Sequence, residues 1–417
     1  MTQDFISKQF YYLFLFTLVF GIILYNPTGF EYADEISALL LLLLFCFALF
    51  KSKDWAFNKA FLLTIGIFLF YTCYSLYIGS NSKRAIVTDL IIQMKPYVAF
   101  FAVYQLRPVF SYGQKKLLKD ICLLLWFILL PLGLLGFISN FYINAVMVHV
   151  TYFAAAIVCL SMIYLFCSNY TLKEKIIFLI MLSVALSSGR SKIYGFFALS
   201  AVVILYFGNI SNIKFSLKNI IIGLATIGVI CYVAWEKIQL YFIFGFTGEV
   251  EEDLIARYVL YTTSIDIFKD YIPFGSGLAS FATHASGAYY SDIYVKYGIE
   301  HVWGMTRADW PFIADTYYPS LAQFGLFGVF LYFSFWFYIL RKTFLFLWRT
   351  KNSKYFTLTL LITGYILIEN IADASITSNR GYFMMMLLGV IMSELKQNEL
   401  NQSDCSSPNV IDNEQVL

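Results

Sequence analysis

Charge is what this chain has least of. Only 13% of its 417 residues are Asp, Glu, Lys or Arg, against 60% apolar, and a soluble domain of that length needs far more polar surface. Histidine is nearly missing: His149, His284 and His301 are too few and too spread for a His-rich metal site. The seven cysteines fall in apolar segments, except Cys405 in the tail, and no C-x-x-C pair occurs, so neither a disulfide framework nor a cysteine metal site is encoded. Strand-like alternation of apolar and polar residues is also lacking, which argues against a membrane β-barrel.

What the chain does have is a succession of apolar runs about 15–22 residues long, the signature of a polytopic α-helical membrane protein. Twelve spans are expected, near 10–24, 36–50, 60–78, 90–106, 120–138, 147–168, 175–188, 193–208, 219–235, 320–340, 356–372 and 380–394. The fold class is therefore all-α, about twelve transmembrane helices with one large extracytoplasmic loop containing short helices. Residues 1–235 hold the first nine spans, 236–319 the loop and 320–394 the last three, with 395–417 a polar tail expected to be disordered. The N-terminus runs straight into apolar sequence and reads as a retained first helix.

The short connections set the orientation. Every second one is basic: Lys51/Lys53/Lys59, Arg107/Lys115/Lys116/Lys119, Lys173/Lys175, Lys214/Lys218 and Arg341/Lys342/Arg349/Lys351/Lys354. The alternate ones are acidic or nearly uncharged. The positive-inside rule then puts both termini in the cytoplasm and the large loop outside. Against that pattern Lys83, Arg84, Arg190, Lys192 and Arg380 are outward-facing cations. They either snorkel to lipid phosphates or gather to meet an anionic substrate. Lys95, inside the fourth span, faces either a cavity or an ion-pair partner.

Three stretches carry chemistry. The first is Ser187-Ser188-Gly189-Arg190-Ser191-Lys192, a turn between spans where an opened helix end and two cations suit a phosphate. The second runs from Arg257 to Pro273, Gly275 and Gly277. There Val259, Ile265, Ile267 and Phe268 mark an amphipathic helix lying on the membrane face and closing in a glycine turn. The third is Asp315 followed by Gly325 and Gly328 at the start of the tenth span. Asp315 reads either as that helix's cap or as a general base.

In this order the three stretches resemble the O-antigen polymerase (Wzy) and O-antigen ligase superfamily of bacterial envelope proteins. The likeness covers most of the chain through short motifs. Two departures are present: ligases of this pattern carry His where this chain has Asp315, and Arg followed ten residues later by Gly, seen in some polymerases, is not met after Arg190 or Arg257. The first departure favours polymerase over ligase.

The resemblance implies a glycosyltransferase of the bacterial cytoplasmic membrane, contributing to O-antigen, capsule or exopolysaccharide synthesis. Its substrates would be oligosaccharides on undecaprenyl pyrophosphate, with no metal, nucleotide or other cofactor required. Membrane lipids, a chain-length regulator and a flippase of the same pathway are the implied partners, and no nucleic acid is. Arg190, Arg257 and Asp315 become the catalytic candidates, the arginines for pyrophosphate and Asp315 as base. Lys192, Arg380, His301, His284, Arg307 and Arg84 are substrate-binding candidates, either histidine being a reserve base. Tyr289, Tyr290, Tyr294, Trp303 and Trp310 either stack on sugars or form an interfacial belt. A transporter, such as a lipid-linked-sugar flippase, is the competing class. It usually needs mid-membrane charges and two related halves, and no internal repeat is visible.

Overall fold

The computed structural model describes residues 2–30, 32–51, 58–207, 221, 228 and 252–406. Among these every regular element is helical, and seven helices are long and apolar enough to cross a membrane. The chain has the architecture of an α-helical membrane protein. The helices, numbered over the described residues, begin with α1 (Thr2–Leu18, extended by a π-helical turn to Ile23), α2 (Ala33–Lys51), α3 (Lys59–Ile78) and α4 (Lys83–Leu106). After them come α5 (Tyr112–Gly136), α6 (Asn140–Met147), α7 (Val150–Cys167), α8 (Leu172–Ser183) and α9 (Ser191–Val202). The last group is α10 (Glu252–Asp270), α11 (His284–Ala288), α12 (Asp292–Lys296), α13 (Gly325–Thr350), α14 (Lys354–Glu369) and α15 (Asn379–Ser406).

Seven of the expected spans overlap those seven helices, 175–188, 193–208, 356–372 and 380–394 overlap helical segments outside that set, and 219–235 lies outside the described residues apart from Ile221 and Gly228. Local chemistry sets the ends. Ser111 and Gln114 form a reciprocal capping box at α5, and Thr171 with Glu174 does the same at α8. Helix α7 is apolar all round and buried continuously from Phe153 to Phe166, so it is the axis of the bundle. By contrast α2, α3, α5 and α13 turn Leu43, Leu63, Phe127 and Phe337 outward, an apolar surface that hydrocarbon satisfies and water does not.

Between α9 and α13 the chain builds a second, smaller core. Ala256, Leu260 and Ile267 of α10 pack with Phe281, Tyr294, Met305 and Ile313, separately from the bundle. We call this unit, 252–324, the cap. Its 274–279 strap is tied to the α3–α4 corner. Tyr74 donates to the Gly275 carbonyl (2.9 Å), Ser75 accepts from the Leu278 amide (2.7 Å) and Asp89 accepts from the Ala279 amide (2.7 Å). Gly275 (φ 80°) and Gly325 (φ 62°) meet backbone to backbone. A Cβ on Gly275 would sit 2.3 Å from the Gly325 nitrogen, so the glycine turn and the start of α13 are one joint.

Three expectations need correction. The buried face of α10 is Ala256/Leu260/Ile267, and Ile265 is 55% exposed, because the helix packs on the cap's own core. Tyr290 and Tyr294 belong to that core, donating to the Met305 carbonyl and accepting from the Ala282 amide, so neither is open to a sugar. The tail expected to be disordered after Glu394 continues as helix α15 to Ser406. Gln397 donates to the Arg107 carbonyl (3.2 Å) and Asn398 to the Tyr355 hydroxyl (2.6 Å); residues 407–417 and 236–251 lie outside the described residues.

Candidate functional site

Four separate segments bring their polar residues to one place at the junction of cap and bundle. The first is the broken helix between α8 and α9. A 3-10 turn (Val184–Ser188) ends at Gly189 in the left-handed region (φ 64°), and Arg190 then starts α9 with extended backbone. Its side chain caps nothing. The second is α10, which carries Arg257 in its second turn. One turn further on, the Tyr261 hydroxyl donates to the Ile371 carbonyl (2.6 Å) and fixes α10 to the α14–α15 connection. The third is the 313–317 loop with Asp315, joined to that connection by the Tyr317 amide and the Asn370 carbonyl (3.2 Å). The fourth is the connection itself, with Glu369, Asp373 and Arg380.

Two groups of ion pairs result. In the upper one, Arg257 Nε donates to Asp315 Oδ2 (2.7 Å), and Nη2 donates to the same oxygen. The Asp315 side chain is 27% exposed, and among the described residues its Oδ1 accepts no hydrogen bond. Burial raises the Asp315 carboxyl above the ordinary carboxylate range, and Arg257 opposes that without cancelling it. In the lower group Lys192 Nζ binds Glu369 Oε2 (2.8 Å) and lies 3.9 Å from Asp373 Oδ2, while Arg380 Nη2 binds Asp373 Oδ1 (2.5 Å). Burial pushes Asp373 up, but Arg380, Lys192 and Arg190 outweigh it and hold the carboxyl below its ordinary value.

The predicted site residues divide accordingly. Arg257 pairs with Asp315, and Lys192 and Arg380 reach the 369–373 carboxylates; beyond burial, Asp373 is shifted by Arg380, Lys192 and Arg190, and Asp315 by Arg257, Asp373 and Lys192. Among the described residues Arg190 is the member of this cluster with no carboxylate in ion-pair contact. Lys192 and Arg380 are committed to carboxylates and are not open phosphate ligands. His284 lines the neighbouring cavity with its ring 5.2 Å from Trp310, and partial desolvation lowers its pKa. Arg84 of α4 lies over Tyr289 of the cap (6.0 Å), and Arg307 lies over Tyr290 (5.2 Å). His301 is exposed on the cap, with no contact to the cluster among the described residues. Asp315 is not a helix cap, since the turn after it is capped by Tyr317 and α13 by Phe324.

Residues missed in the sequence are Glu369, Asp373 and His149. His149 caps α7, accepting from the Thr151 amide (3.3 Å), and burial and the Arg190 charge lower its pKa. The signal for the carboxylates was a short connection, Glu369 to Arg380, holding two acids and a base amid Asn, Ser and Thr. Lys95 meets both of its readings, binding Asp34 (2.5 Å) and Glu35 (3.2 Å) and lining a cavity. Among the described residues no three His, Cys, Asp or Glu side chains gather to hold a metal ion.

No protein-family model matches this chain, and no curated protein matches its sequence.

Proposed function

We propose that this chain is a polysaccharide repeat-unit polymerase of the bacterial cytoplasmic membrane. It joins oligosaccharides carried on undecaprenyl pyrophosphate, with twelve spans, both termini cytoplasmic and the cap on the outer face. The observation that carries the reading is the Arg257–Asp315 ion pair, with the 190–192 turn beside it: the Lys192 charge acts on both Asp315 and Asp373, and the Arg190 charge acts on Asp373. These come from three distant stretches and, as an anion-binding cation and a base-bearing ion pair, match what the reaction needs.

In this mechanism Arg190, which meets no carboxylate among the described residues, takes the pyrophosphate of the donor, its planar fork binding two oxygens at once. Arg257 holds Asp315 by Oδ2 and leaves Oδ1 for the acceptor hydroxyl. The hydroxyl oxygen bonds to the anomeric carbon as its proton passes to Oδ1. The carbon–oxygen bond to pyrophosphate breaks, and its electron pair leaves with the lipid diphosphate. Charge develops on the departing oxygen, where Arg190 is worth most. Lys192 and Arg380 position Glu369 and Asp373, and those carboxylates keep the cations from collapsing onto Asp315.

The test is the glycan profile of a strain lacking its own polymerase and expressing Arg190→Ala, Arg257→Ala or Asp315→Ala. Single units in place of long chains are expected at matched protein levels. Normal long-chain glycan from all three variants would falsify the assignment. Polymer stranded on the lipid carrier after deletion would identify a ligase, and lipid-linked units trapped inside the membrane a flippase.

A further inference from the structure

Next to the ion-pair cluster lies an open cavity of about 470 Å³, lined by the start of α2, the middle of α4, the start of α11 and the 373–380 connection. That volume is within the usual range for small-molecule sites. Its charged lining consists of Asp34, Glu35 and Asp373 against Lys95 and Arg380, one negative charge in excess. An anion is therefore disfavoured there. Lys95 stands roughly 18 Å along α4 from Lys83, a depth at which a charge faces a polar cavity.

We infer that this cavity is a subsite for the hydroxyl groups of an uncharged sugar, the non-reacting part of the acceptor, with Asp34, Glu35 and Lys95 as its floor. The inference rests on the polymerase reading for the origin of the sugar. Three features carry it. Lys95 bridges Asp34 and Glu35, so donors and acceptors sit side by side at fixed spacing, and a sugar hydroxyl, which both donates and accepts, needs that alternation. Two lining side chains, Asp34 (3% exposed) and Arg380 (6%), keep buried polar atoms, Oδ1 and Nε, with no partner among the described residues. Tyr25 and Tyr152, with rings 6.5 Å apart and Arg380 over the second at 5.5 Å, add an aromatic wall for the C–H side of a pyranose.

The cavity is also in the right place. Ala314 lines it immediately before Asp315, while Arg190, Arg257 and Asp315 do not. Asp373 and Arg380 both line the cavity, and Asp373 also feels the Arg190 charge. Their pair joins the cavity to the ion-pair cluster.

The probe is the free oligosaccharide released by mild acid from lipid-linked units of a strain deleted for this protein. Its binding to the full chain in nanodiscs is read by saturation-transfer NMR. Wild type binds it, Lys95→Met weakens binding about tenfold, the effect of one lost buried contact, and Ile265→Ala, an exposed change away from the cavity lining, binds like wild type. Thr377→Phe fills the cavity without touching an ion pair, and it too must weaken binding while its melting temperature stays unchanged. No transfer to wild type, or unaltered binding by both cavity variants, overturns the subsite alone. If deletion leaves no lipid-linked unit to harvest, the polymerase reading fails and the subsite falls with it.

Discussion

The upper and lower ion pairs lie side by side, yet they are built in opposite ways. Arg257 spends two donors on one oxygen of Asp315 and leaves the other unoccupied, on a side chain 27% exposed. Arg380 and Asp373 are 7% and 17% exposed, with Lys192 bound to the adjoining Glu369 and close to Asp373. Burial wins at Asp315 and raises its carboxyl; at Asp373 three cations win and lower it. An acid with a spare oxygen and a raised pKa is suited to moving a proton. One saturated by cations is suited to holding helices together. Outward cations in the sequence all looked alike, and what separates them is the carboxylate each one meets.

The sharpest way to break the contrast is to neutralise each acid in turn. Asp315→Asn removes the base and should cut polymer formation by about 10²–10⁴-fold, the range for a lost general base. Its melting temperature should not fall at neutral pH, because a raised pKa means the ionised form is not what stabilises the fold. Asp373→Asn should do the reverse and lower stability by about 3–5 kcal/mol by stranding Arg380 in a buried position. The sign follows from the shift: a lowered carboxyl stabilises above its ordinary pKa, and the stability disappears as pH falls through the lowered value. Thermal melts of both variants at neutral and acidic pH decide it. If Asp315→Asn melts early and Asp373→Asn does not, the two roles are assigned the wrong way round.

The next largest effect separates the site from the cap that carries it. Ile267 is fully buried and Ile265 is 55% exposed on the same helix as Arg257. Ile267→Ala should cost about 2–4 kcal/mol, and Ile265→Ala less than about 0.5. Proteolysis of the cap would report both. A cap that Ile267→Ala loosens while some polymer is still made shows that the Arg257→Ala loss is chemical. Equal effects at the two positions would mean that α10 does not pack on a core of its own.

Much of this was legible in the sequence, and the parts that were not share a cause. Apolar runs place the helices because hydrocarbon demands them, and Arg190, Arg257 and Asp315 stood out because charge is rare. Pairing was the hidden quantity. Glu369 and Asp373 sit in a connection read for its cation, Arg380, and no local pattern says that Lys192, some 180 positions away in sequence, closes onto them. The face of α10 was misplaced for a related reason. A membrane surface and a private core both select one apolar stripe, and only the packing partners Phe281, Tyr294 and Ile313 show which. Tyr290 and Tyr294 looked like sugar platforms because their hydroxyls find partners only in the folded cap.

The smallest predicted effect is the most diagnostic of the upper pair. Asp315 must be ionised to accept a proton, so activity should fall as pH drops through its pKa, at a higher pH than an ordinary aspartate near 3.9 would give. Arg257 lowers that pKa, so replacing it by Gln removes a charge that favours the ionised form, and the acidic limb must move to higher pH. Arg257→Lys keeps the charge but loses the fork, and its limb should stay near the wild-type position while the rate falls. Polymerisation rates in membranes across pH 4–8 separate the three proteins. A limb that does not move in Arg257→Gln means that Asp315 is not the group whose proton is being counted, and His149, the imidazole that Arg190 depresses, is then the base to test.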